Sequence, residues 1–125
     1  MPSLAAKLGV DPGRRCLVLG PVPDAVVAEL FAPHRRAGSA PYDVILACCP
    51  DRKALDRNAT TLPARLTVAG ALWLAWPKRA SGVETDIGEA DVRTAGLDTG
   101  LVDNKIAAID DVWSGLRFVR RRADR

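Results

Sequence analysis

The sequence is poor in the residues that build metal centres and disulfide frameworks: one histidine, His34, and three cysteines, two of them adjacent as Cys48-Cys49. A lone imidazole between Pro33 and Arg35 gives a zinc site no second histidine and a catalytic triad no context. An odd number of cysteines with an adjacent pair favours buried free thiols over disulfides. The longest apolar run is far too short to cross a bilayer, which argues against a membrane partner. Residues Met1 to Leu8 also lack the apolar core of a secretory signal, so a cytoplasmic location is expected. No repeat, low-complexity tract or Gly/Ser linker divides the chain. A length of 125 residues with 48% hydrophobic content therefore suits one globular domain spanning residues 1–125.

The excess of positive over negative charge is small as well. The net charge is +3, and Arg120, Arg121, Arg122 and Arg125 against Asp124 account for all of it. The basic pI thus comes from a short tail, residues 120–125, that reads as solvated and flexible. Nucleic-acid surfaces spread Lys and Arg over a face with aromatics between them, and the linear sequence has no such stretch, so a nucleic-acid partner is not expected.

What is present is an alternation of apolar runs and helix signals. Leu4 to Leu8 makes a short helix stopped by Gly9, and Asp11-Pro12-Gly13 turns into a strand over Arg15 to Leu19. After Gly20, Asp24 is a suitable N-cap for a helix with Val26, Val27, Leu30 and Phe31 on its apolar face. The segment Pro33 to Pro41 is polar and broken by Gly38, leaving room for at most an abbreviated edge strand. Tyr42 to Cys48 reads as a buried strand, Pro50-Asp51 as the start of a helix through Ala54, Leu55 and Ala59, and Pro63 as its interruption. Gly70 to Trp76 is apolar throughout, like a strand covered on both faces. Asp86 and Glu89, three apart, suggest a capping box for a helix to about Leu97. Leu101 to Ile109 and Leu116 to Arg121 follow as strands joined by Asp110 to Gly115, a connection short enough to make them antiparallel neighbours.

The expected fold is therefore α/β: a shortened three-layer Rossmann-like sheet with a C-terminal antiparallel hairpin, resembling the methyltransferase-like class. Right-handed crossovers put the strand-to-helix loops on one edge of such a sheet, where ligands bind. On that edge, Trp76, Lys78, Ser81 and Gly82 of one loop and Trp113 and Ser114 of the hairpin are the candidate ligand-binding residues. Lys78 can hold an anion, Ser81 and the amides around Gly82 can complete a cradle, and either tryptophan can stack on a planar ligand. Trp73, an odd spacing from Trp76, points to the other face and into the core. Asp103, Lys105, Asp110 and Asp111 have the chemistry for acid–base work, but ordinary turn and strand-surface roles are the favoured account of them. No residue is singled out as catalytic or metal-ligating.

The first loop, Leu19-Gly20-Pro21-Val22-Pro23-Asp24, weakens the cofactor case. One glycine remains, two prolines remove backbone donors, and no acid follows about 20 residues on to hold a ribose. No cofactor is expected on these grounds, and the loop counts against S-adenosylmethionine.

Taken together, Leu8-Gly9-Val10, Pro12-Gly13, Trp76-Pro77-Lys78 with Ser81-Gly82-Val83 and Asp86, Gly100-Leu101-Val102-Asp103 with Lys105, and Trp113-Ser114-Gly115-Leu116 resemble a bacterial family of small proteins of unknown function. Its marks are W-P-K-x-x-S-G-V and W-S-G-L, and it is similar to methyltransferase-like Rossmann domains. The resemblance covers nearly the whole chain and implies the fold without implying an activity. Two classes of function stay open: a non-catalytic binding or interaction domain, which the eroded first loop favours, and a small enzyme or ligand sensor taking an anionic or planar ligand at the carboxyl edge. A strand edge left open near Pro41 would also allow a homodimer.

Overall fold

Five strands form one sheet in the order β1-β2-β3-β5-β4 in the computed structural model, which describes residues 2–125. The first three, β1 (Cys16–Leu19), β2 (Tyr42–Cys48) and β3 (Leu66–Pro77), run parallel. The last two, β4 (Val102–Ala108) and β5 (Trp113–Val119), form the antiparallel hairpin, with β5 inserted beside β3. Helices α1 (Leu4–Leu8), α2 (Asp24–Ala28), α3 (Arg52–Thr61) and α4 (Glu89–Leu97) cover the sheet. The α/β architecture expected from the sequence is the one observed.

Two-residue periodicity divides the core between the two faces. Ile45, Leu72, Leu74, Trp76 and Phe118 pack with Leu55 of α3 and Val92 of α4. Val44, Leu46, Trp73, Ala75 and Trp113 pack with Leu8 of α1 and Val26 of α2. Each strand of the middle is therefore apolar on both sides, which explains the unbroken run in β3. Trp73 is fully buried, and its indole N–H donates to the Leu8 carbonyl at 3.1 Å, tying α1 to the sheet. Cys48 and Cys49, being neighbours, fall on opposite faces, and all three cysteines are buried free thiols.

Local chemistry sets the boundaries. The Ser3 hydroxyl accepts from the Ala6 amide and caps α1, which Gly9 ends at a left-handed φ of 79°. Asp51 caps α3 by accepting from the Ala54 amide, and Pro63 opens a 3₁₀ turn over Pro63–Arg65. β3 starts earlier than the apolar run, at Leu66, because Gly70 admits a bulge: Tyr42 pairs with Leu66, then Val44 with Ala71. A Cβ at Gly70 would lie 2.9 Å from the Tyr42 carbonyl oxygen.

Three expectations are corrected. α2 has no side-chain cap and stops at Ala28, because Phe31 and Ala32 adopt left-handed φ values of 58° and 52°. Phe31 is consequently 53% exposed, and Leu30 alone anchors that end of the segment in the core. At α4 the capping carboxylate is Asp91, which accepts from the Gly88 amide at 2.9 Å, and not Glu89. Asp86 accepts from the Arg52 amide instead and links the α4 loop to α3. In the hairpin, Trp113, Ser114 and Gly115 belong to β5. Asp110 Oδ1 accepts from the Val112 and Trp113 amides, closing the turn early.

The segment between α2 and β2 contributes one isolated bridge, Leu17 to His34, along the outer side of β1. His34 also shares a 2.7 Å hydrogen bond with the Tyr42 hydroxyl. At the other end of the chain, Arg120 donates to the Pro63 and Leu66 carbonyls, and residues Arg122–Asp124 make a 3₁₀ turn. Among the described residues, no helix is long and apolar enough to cross a membrane.

Candidate functional site at the carboxyl edge

Strands β1, β2 and β3 end at Leu19, Cys48 and Pro77 on one edge, and the hairpin turn joins them there through the Lys78 amide, which donates to the Val112 carbonyl at 2.8 Å. Two hollows open along this edge. Leu19, Gly20 and Pro21 face Pro50, Asp51, Lys53, Arg57 and Asn58 across a hollow of about 430 Å³ between β1, β2 and α3. A larger open groove of about 930 Å³ runs between the end of β3, the start of α4 and the hairpin.

The groove brings together four of the six residues proposed from sequence: Trp76, Lys78, Gly82 and Ser114. Trp76 and Ser114 are cross-strand partners and so project to one face. Trp76 is 4% exposed, so it offers the groove no open stacking plane. Gly82 sits at φ 74°, ending the short 3₁₀ turn after Lys78. Ser81 turns into its own loop: its hydroxyl donates to the Lys78 carbonyl at 2.7 Å and accepts from the Val83 amide. Trp113 pairs with Pro77, not with Trp76, and lies in the core on the other face beside Trp73. The two tryptophans thus stand on opposite sides of the sheet and cannot sandwich one ligand. Around the groove, sequence reasoning missed Arg79 and Glu84 of the long loop, Asp91 of α4 and Ile106 of β4, which only the tertiary fold gathers.

In the smaller hollow the polar groups come from α3. Lys53 and Arg57 are one helical turn apart, and Asp51 stands at the helix start. Asn58 is buried, and its amide donates to the Cys49 sulfur at 3.5 Å. Gly20 has a φ of 89°, and a Cβ there would meet the Cys48 carbonyl oxygen at 2.2 Å; the glycine is fixed by the close approach of β1 and β2. Arg35 occupies the flank of this loop, its guanidinium donating to the Val18 and Gly20 carbonyls. Burial pushes the Cys48 thiol well up, Cys49 and Asp110 push it further, and Arg35 opposes them. These thiols are structural groups at the floor of the edge. Among the described residues no cluster of three His, Cys, Asp or Glu side chains could hold a metal.

This architecture, an open sheet with its hollows at the carboxyl ends of the strands and a terminal hairpin, is that of the methyltransferase-like Rossmann class. A TehB-like SAM-dependent methyltransferase from Corynebacterium glutamicum has the same fold, with a TM-score of 0.62 over 97% of this chain and 89% of its own at 8% identity. Magnesium protoporphyrin IX methyltransferase from Synechocystis, solved with bound SAM, matches at 0.58 over 94% of this chain and 74% of its own at 16% identity. The N-methyltransferase NodS from Bradyrhizobium japonicum, in complex with S-adenosyl-L-homocysteine, matches at 0.53 over 86% and 67% at 15% identity. No protein-family model matches the sequence, and no curated protein matches it.

The comparison corrects one expectation. The first loop's single glycine and two prolines counted against S-adenosylmethionine, yet the fold is shared with SAM-dependent enzymes, two of them holding SAM or its product. Backbone donors and an acid at a fixed spacing are features of a single loop and its continuation, whereas a hollow at the strand ends is a property of the sheet and survives a change in that loop.

Proposed function

We propose that this chain is a small ligand-binding domain of the methyltransferase-like kind, with S-adenosylmethionine or its demethylated product as the ligand of the hollow between β1, β2 and α3. The observation that carries the reading is that hollow itself, about 430 Å³ at the carboxyl edge, within the roughly 300–1,000 Å³ typical of small-molecule sites. Its residues fit the group. Leu19, Pro21, Pro50 and Ala54 provide apolar wall for a purine, Lys53 and Arg57 provide cations for a carboxylate, and Asp51 provides a carboxylate for an ammonium or ribose hydroxyls. When bound, S-adenosylmethionine supplies an activated methyl group. The chain's own part is to bind and orient, and the adjoining groove with Lys78, Trp76 and Ser114 is where a second, anionic or planar molecule would lie.

The finer membership, in the bacterial family marked by W-P-K-x-x-S-G-V and W-S-G-L, is part of the same proposal. It accounts for those motifs as the end of β3 with the loop that follows it and the start of β5, which supply Trp76, Lys78, Gly82, Val83 and Ser114 to the groove. Titration calorimetry with S-adenosylmethionine and S-adenosylhomocysteine tests the reading directly. Saturable one-to-one binding, weakened about tenfold or more by Arg57→Ala, is the expected result. Absence of heat and of thermal stabilisation at millimolar ligand would overturn it.

A further inference from the structure

The amino edge of the sheet, opposite the two hollows, gathers arginines that are far apart in sequence. Arg14 precedes β1, Arg65 precedes β3, Arg121 and Arg122 follow β5, and Arg125 folds back so that its Nε donates to the Arg120 carbonyl. Arg117, on β5, donates to Asn104 Oδ1 at 3.2 Å, and its guanidinium is held below its ordinary range first by burial, then by the neighbouring charges of Arg125 and Arg14. We propose that this arginine strip along the amino edge binds the sugar-phosphate backbone of a nucleic acid, without reading its sequence.

Some arginines of the edge have structural work. Arg15 lies 4.6 Å over the Tyr42 ring and donates to the Pro41 carbonyl, and Arg120 ties the chain end to Pro63 and Leu66. Others are held only by single contacts to neutral oxygens: Arg65 to the Gly38 carbonyl, Arg117 to Asn104 Oδ1 and Arg125 to the Arg120 carbonyl. Among the described residues, Arg117, Arg121, Arg122 and Arg125 have no carboxylate within salt-bridge distance, and Arg14 alone of the strip is paired, with Asp11. Like charges held together in a folded structure repel, and a polyanion relieves that repulsion.

The strip's size selects the partner. Neighbouring strands lie about 4.8 Å apart, so from Arg14 at β1 to Arg121 at β5 the strip spans roughly 15 Å, too long for one phosphate. Duplex nucleic acid carries about one charge per 1.7 Å of axis and meets the whole strip at once. The guanidinium forks suit phosphate oxygens. No exposed tryptophan or tyrosine accompanies them, which leaves backbone contact without base stacking. Sequence order hides the surface, because only the fold brings positions 14, 65, 117 and 121–125 to one edge.

Fluorescence anisotropy of the full chain with a labelled 20-nucleotide RNA and a DNA duplex of equal length is the test. Binding is expected at 50 mM salt with little sequence preference. For about four phosphate contacts, a roughly hundredfold loss of affinity is expected between 50 and 200 mM salt. The double variant Arg121→Glu/Arg122→Glu, both side chains exposed and outside the sheet, should lose most binding while retaining the native circular dichroism and any calorimetric binding of S-adenosylmethionine. No anisotropy change at 50 mM salt, or undiminished binding by the variant, would overturn the proposal. So would competition by polyglutamate as effective as by RNA, which would identify an acidic protein as the partner.

Discussion

Gly96 illustrates how one residue can oppose local preference. Alanine is favoured over glycine inside a helix by about 1 kcal/mol, yet a Cβ at Gly96 would lie 2.2 Å from the Phe118 ring, which is fully buried. Overpacking of this kind costs about 1–3 kcal/mol, and a ring enclosed on all sides has little room to yield. Gly96→Ala should therefore lower stability by about 1–2 kcal/mol in urea denaturation, and an unchanged midpoint would refute the packing account. By local propensity Gly96 is a weak point of α4; its purpose lies in a residue 22 positions away on β5, which no local pattern reports. The thiols make a second case, legible from composition alone. Burial raises Cys16 and Cys49 from an ordinary value of 9.0 to about 11. Between those values the unfolded chain releases thiol protons that the folded chain keeps, so this stabilisation is complete below pH 9 and is lost as pH rises toward 11. Thermal melts should decline over that window, less steeply in Cys16→Ala.

At the scale of elements, the apolar runs of β2 and β3 and the caps of α1 and α3 could be read directly, because each depends on neighbours in sequence. The α4 start could not. Asp86 and Glu89 have the spacing of a capping box, but Asp86 is drawn to the Arg52 amide 34 positions earlier, and Asp91 takes over the capping while also pairing with Arg52 at 2.6 Å. Hydrogen bonds from Gly88 and then Arg52 hold the Asp91 carboxyl below the ordinary 3.8. Its contribution is thus present above that value and lost as pH falls through the lowered one. Asp91→Asn should lower the melting temperature at neutral pH, and the gap from the natural chain should close in acid. A gap that persisted at pH 2 would mean that packing, not charge, holds this joint. The candidate site divides the same way. Trp76 and Lys78 were visible because a strand ended in an unexpectedly polar loop, whereas the Trp113 placement was misjudged because Asp110 closes the hairpin sooner than the length of the Asp110 to Gly115 connection suggests.

For the whole molecule, the decisive relation is between the sheet's edges. The carboxyl edge has the hollows, the amino edge has the arginines, and β1 and β4 flank them as outer strands. Composition and periodicity gave access to the layers, but which outer strand stays open depends on residues that belong to no element. The shortened Pro33 to Pro41 segment suggested an open edge beside it. Instead His34 lies along β1, its amide donating to the Cys16 carbonyl and its carbonyl accepting from the Val18 amide, both at 2.9 Å. An edge strand closed by its own chain offers no template to a second copy. His34→Pro removes the donor and opens this side of β1, while His34→Ala keeps the backbone bridge and loses only the Tyr42 hydroxyl contact. In sedimentation velocity at two concentrations, the proline variant should associate more strongly than the natural chain, with the alanine variant close to it. Identical behaviour of the two variants would mean that the His34 side chain, and not its backbone, guards the edge.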